Sequence, residues 1–89
     1  MGTRKDRQDL RNQSSEAIKG ARTKRNVSQT RLAELLGVSQ PLVSSWECGK
    51  VTAGLDDLCA IEDVLGITKG ELVLAIIYHD KKETELIPQ

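Results

Sequence analysis

The chain has 89 residues, 38% hydrophobic and 29% charged, with 13 Lys and Arg balancing 13 Asp and Glu. This suits one small domain; no apolar run nears the ~18–20 residues of a membrane span, and no apolar signal core follows Met1. Asp6 stands where a myristoylation signal needs Ser or Thr, and two cysteines, Cys48 and Cys59, cannot build a secreted disulfide framework, so a soluble, cytoplasmic chain is expected.

Aliphatic residues recur at three- and four-residue spacing between Gly and Ser/Thr punctuation, which predicts a run of short helices. The first covers Ser15 to Arg25, with Ser14 as N-cap and Ile18, Ala21 and the stem of Arg25 inward. Residues 1–13 form either a basic arm or an extension of that helix. Ser28 caps a second helix reaching Leu36, with Leu32, Ala33 and Leu36 on one face and Gly37 ending it. Ser39 caps a third, Gln40 to Cys48, in whose first turn Pro41 is tolerated; Gly49 closes it. A fourth spans Leu55 to Leu65, with Leu58, Ile61 and Leu65 inward and Gly66 behind. Thr68 and Glu71 resemble a capping box, which favours a fifth helix reaching about Tyr78. The competing reading makes 72–78 a buried strand, with 79–82 turning a hairpin back through 84–87. As a helix it is apolar on more than one face, leaving Leu74, Ile77 and Tyr78 for a second copy of the chain. The domain is bounded at 14–78, with 79–89 as a tail.

The zero net charge conceals a division. Residues 1–31 hold nine Lys and Arg against three acids, a surplus of +6, and residues 32–89 carry the matching −6. One third of the chain can therefore meet a polyanion.

The second and third helices, joined across Gly37, make a helix-turn-helix candidate at 28–48. On the third, Gln40, Pro41, Ser44, Ser45 and Cys48 share one face, while Leu42, Val43 and Trp46 share the other. The outer face is short, polar and uncharged. Such side chains suit base edges: Gln pairs bidentately with adenine, Ser donates or accepts, and a Pro ring packs on a thymine methyl.

Ser28-Gln29…Leu32-Ala33…Gly37-Val38-Ser39-Gln40…Val43-Ser44…Trp46-Glu47…Gly49-Lys50 resembles the Cro/repressor-type helix-turn-helix family. Leu55…Leu58…Ile61…Leu65-Gly66-Ile67-Thr68…Glu71-Leu72 continues the likeness, which covers about residues 14–75. The resemblance implies an all-α, five-helix domain that binds operator DNA, commonly as a homodimer. It implies that Gln29 contacts phosphate and braces Gln40, and that Ser39, Gln40, Pro41, Ser44 and Ser45 meet bases or the groove wall. It further implies that Lys50 reaches a phosphate and that Arg22 pairs with Glu47 to clamp the first helix to the third. The chain departs from the family pattern at Pro41, Ser45, Cys48 and Glu62, the last standing where a buried Ala is general. Without charged base contacts, phosphate contacts and DNA shape carry more of the affinity, with Arg4, Lys5, Arg7, Arg11 and Arg25 as donors.

Other chemistry finds little support. Cys48, Cys59 and His79 lack zinc spacing and a fourth ligand, so no metal or other cofactor is expected. Cys59 reads as a core filler, whereas Cys48, on the outer face of the third helix, invites the idea of a redox switch. His79, the one histidine, has no nucleophile in a matching context, and the seven glycines form no phosphate loop, so an enzyme is not expected. The reading is a DNA-binding repressor acting as a homodimer on a palindromic site. The alternatives are an antitoxin that binds a toxin through Leu72–Ile87 and its own promoter through the helix-turn-helix, or a protein adaptor that has lost DNA binding.

Overall fold

The computed structural model describes the backbone of residues 7–85 and the side chains of residues 13–78. Five helices follow in order: α1 (Arg7–Lys24), α2 (Gln29–Leu36), α3 (Gln40–Cys48), α4 (Leu55–Leu65) and α5 (Glu71–Glu85). No strand occurs among the described residues, so the all-α reading holds and the hairpin alternative does not.

The two central helices begin and end where their caps place them. Ser28 Oγ accepts from the Arg31 N–H at 3.0 Å, and Ser39 Oγ accepts from the Leu42 N–H at 3.3 Å. Gly37 closes α2 at φ 74°, a left-handed conformation that an L side chain adopts at a cost of about 1 kcal/mol. The turn Gly37-Val38-Ser39 is thus short enough to hold α2 and α3 as a unit.

The expectations for the two outer helices need correction. α1 starts at Arg7, so Ser14 lies inside the helix, buried, and is not its cap. Arg, Gln and Leu among residues 7–13 are good helix formers, which lets the packed part propagate backward. The end of α1 is set by Asn26, a non-glycine residue at φ 59°, with the Val27 N–H donating back to Arg22 O at 3.2 Å. Thr68 is not the cap of α5 either. Thr68 to Glu71 forms a turn, with the Glu71 N–H on Thr68 O at 2.9 Å, and the helix opens from Gly70. Nor does α5 stop near Tyr78; it runs through the first part of the expected tail to Glu85.

Ile18, Leu32, Ala33, Val43, Trp46, Leu58, Ile61, Leu65, Leu72 and Ile76 form the buried core, to which every helix contributes. Ala21, Leu36 and Leu42 pack against it half-buried. α1 lies against both α3 and α5, so the element that presents the turn unit is fixed from behind.

Candidate nucleic-acid interface

α3 divides as its sequence requires. Val43 and Trp46 are buried, while Gln40, Pro41 and Cys48 are exposed and Ser44 and Ser45 half-buried. Ser44 Oγ and Cys48 Sγ lie 4.0 Å apart on the outer side. Lys50 follows α3 with an exposed side chain, and its own N–H is engaged on Ser45 O at 3.0 Å. The outer surface of this helix therefore carries an amide, a pyrrolidine ring, hydroxyls and a thiol.

A chain of polar side chains runs beneath it. Arg22 of α1 makes a bidentate contact with Glu47 of α3: Nε donates to Oε2 at 2.7 Å and Nη2 to Oε1 at 2.9 Å. Arg22 Nη1 donates to Val27 O at 2.7 Å, tying the pair to the loop before α2. Gln29 Nε2 donates to Glu47 Oε1 at 3.0 Å, and Gln40 Nε2 donates to Gln29 Oε1 at 2.7 Å. Four residues from three helices are thus joined from the core to the exposed start of α3.

The pair is ionised firmly. Burial resists charge on Glu47, whose side chain is 3% exposed, yet the hydrogen bonds from Arg22 and Gln29 and the charges of Arg22 and Lys19 together outweigh it and hold the carboxyl below its ordinary value. The Glu47 hydrogen bond likewise raises Arg22 above an already high value, against the opposing effect of burial. Glu47 therefore stays an acceptor throughout the physiological range.

A helix-turn-helix family model matches residues 18–72, from Ile18 at the centre of α1 to Leu72 in the first turn of α5. The chain belongs to this helix-turn-helix family. Its members are DNA-binding regulators rather than enzymes, in line with the Cro/repressor-type resemblance of the sequence. One curated relative, the HTH-type transcriptional activator BcrR of Enterococcus faecalis, is 36% identical over 59 residues. That match takes in 66% of this chain and 29% of the relative, so the chain spans under a third of the relative's length.

Within the helix-turn-helix unit, Gln29, Ser39, Gln40, Pro41, Ser44 and Ser45 lie on α2, α3 and the turn between them. Arg25 lies apart. Its Nε donates to Leu65 O at 3.0 Å and its Nη1 to Ala21 O at 3.0 Å, so the guanidinium serves the carbonyl ends of α4 and α1. Two of its donors thus satisfy helix carbonyls, and the side chain is half-buried. Arg4, Lys5, Arg7 and Arg11 lie outside the residues whose side chains are described, as does His79. Leu74, Ile77 and Tyr78 are exposed along α5, at 50%, 50% and 43%. No helix among the described residues is long and apolar enough to cross a membrane.

Sequence reasoning left Glu62 without a role. It is 1% exposed, and its Oε1 accepts from the Gly70 N–H at 2.8 Å while Oε2 accepts from the Leu72 N–H at 2.8 Å and the Val73 N–H at 3.4 Å. The Gly70 hydrogen bond, with those of Leu72 and Val73, outweighs burial and lowers the Glu62 carboxyl below its ordinary value. A carboxylate of α4 thus caps α5 from outside. The available signal was its register: Glu62 shares the apolar face of Leu58, Ile61 and Leu65, where a lone acid needs partners.

Proposed function

We propose that this helix-turn-helix protein is a sequence-specific transcriptional regulator that binds a palindromic operator as a homodimer and represses the promoter it occupies. The observation that carries the reading is the Gln40 amide, exposed at the start of α3 and braced by Gln29. A braced amide loses less rotamer freedom on binding and meets a base edge already aimed. Gln40 reads adenine; Pro41, Ser44 and Ser45 line the groove, with Ser39 at its edge; Gln29 and Lys50 take phosphate. The second copy docks through Leu74, Ile77 and Tyr78, which places two α3 helices about 34 Å apart. Repression requires only occupancy of the promoter, whereas activation needs an additional surface for polymerase. A regulator of this kind works in the cytoplasm, where its DNA is.

A second reading takes the same exposed apolar residues of α5 as the seat of a different protein, in the manner of an adaptor that has lost DNA binding. Selection from random duplex DNA at low salt separates the two. The wild-type chain should enrich a motif with two inverted half-sites, and Gln40→Ala and Ser44→Ala should each weaken binding by about 1–3 kcal/mol, at different positions. No enrichment would leave the adaptor reading; a single half-site would remove the homodimer.

A further inference from the structure

We propose that Glu47 is a positioning residue for base choice: acting through Gln29, it fixes the polarity of the Gln40 amide and thereby excludes guanine at the base pair that Gln40 reads. This inference rests on the DNA-binding reading above. A carboxylate only accepts hydrogen bonds, and an amide has one end that donates and one that accepts. Glu47 Oε1 faces Gln29 at 3.0 Å, so the Gln29 nitrogen must point to it. The Gln29 oxygen is then turned toward Gln40, where it accepts from Nε2 at 2.7 Å. Flipping either amide sets oxygen against oxygen or N–H against N–H. Polarity therefore passes one way, from the ion pair to the exposed end of α3.

At that end Gln40 retains Oε1 and one N–H. Adenine presents an amino donor and the N7 acceptor in the major groove, which matches this pair of groups. Guanine presents two acceptors, O6 and N7. Two N–H groups would be needed to satisfy them, and one is held by Gln29 while Oε1 repels O6. An unbraced glutamine has both N–H groups and either orientation available, so it discriminates less. The choice of base is set by an ion pair, Arg22 with Glu47, that itself reaches no base.

The test is selection from random duplex DNA with the wild-type chain and with Gln40→Ala, Glu47→Gln and Gln29→Met, each checked for folding by circular dichroism. The position whose preference Gln40→Ala erases is the one Gln40 reads. There the wild type should favour adenine over guanine by about tenfold or more, and both other variants should bring that ratio within about threefold while preferences elsewhere persist. Gln29→Met leaves the Arg22–Glu47 pair intact, so it breaks the link through which Glu47 must act even if Glu47→Gln fails to fold. Removing a phosphate ligand along with the Gln29 amide would lower affinity for all sequences alike and leave the ratio unmoved. An unchanged ratio in folded Gln29→Met or in folded Glu47→Gln, or guanine favoured by the wild type, overturns this inference while the DNA-binding reading stands. A wild-type chain that enriches no motif overturns both.

Discussion

Glu47 and Glu62 are both nearly excluded from solvent, and they are compensated by opposite means. Glu47 meets an arginine 25 residues away in sequence, with a glutamine as second donor. Glu62 is held chiefly by backbone: three N–H groups at the start of α5 converge on its two oxygens, and the Lys69 charge adds the smallest share. The first arrangement joins α1 to α3 and continues outward to Gln40. The second joins α4 to α5 and goes no further. A charge paired with a side chain can transmit orientation along other side chains, whereas a charge paired with backbone fixes one element to another.

The largest separation between them should come from removing the partner. Arg22→Met leaves the Glu47 carboxylate without its ion-pair partner, and the loss expected is about 3–5 kcal/mol, a large share of the ~5–15 kcal/mol of a typical domain. Urea unfolding measures it, and the double variant Arg22→Met with Glu47→Leu should recover most of the loss. If the single variant costs under about 1 kcal/mol, the pair does not clamp α1 to α3.

The hydrogen-bond donors to Glu62 are backbone N–H groups that no substitution deletes, so its own carboxylate is the target. Glu62→Gln substitutes one acceptor oxygen for two and turns an amino group toward backbone N–H donors, for a loss of about 2 kcal/mol. DNA affinity of the folded Glu62→Gln variant should match the wild type. A specific loss of DNA binding in this variant would mean that α4 and α5 are coupled to α3, contrary to the division between the two carboxylates.

Acid should reveal what the two share. Both carboxyls lie below their ordinary value in the fold. Each contribution is therefore fully present above the unfolded value, about pH 4.3, and is lost as pH falls through the lower folded one. The urea midpoint should stay level between about pH 7 and 5.5, then decline below about pH 4.3, less steeply in Glu62→Gln. A midpoint that rises on acidification would contradict the direction of both shifts.

The two carboxylates also mark how far the chain could be read before its fold was known. Ser28, Gly37, Ser39 and Gly49 are themselves the caps of α2 and α3, so those boundaries were legible. The Arg22–Glu47 pair was legible for a similar reason: both partners are side chains within a family pattern. Glu62 was not, because its partners are backbone N–H groups that leave no letter in the sequence. The same blindness produced the misplaced cap of α5, where Thr68 and Glu71 have the spacing of a capping box but Gly70, at φ 90°, opens the helix under Glu62. Asn26 ended α1 in the role usually given to glycine, and Arg25 was drawn to carbonyls of α1 and α4 that only tertiary packing brings near.

The central claim is that the braced end of α3 meets DNA, and nuclear magnetic resonance of the ¹⁵N-labelled chain with a selected duplex tests it most directly. The side-chain amide signals of Gln29 and Gln40 and the backbone amides of residues 39–50 should shift most, with α4 nearly unmoved. Shifts concentrated on α5, with the Gln29 and Gln40 amides unchanged, would contradict it.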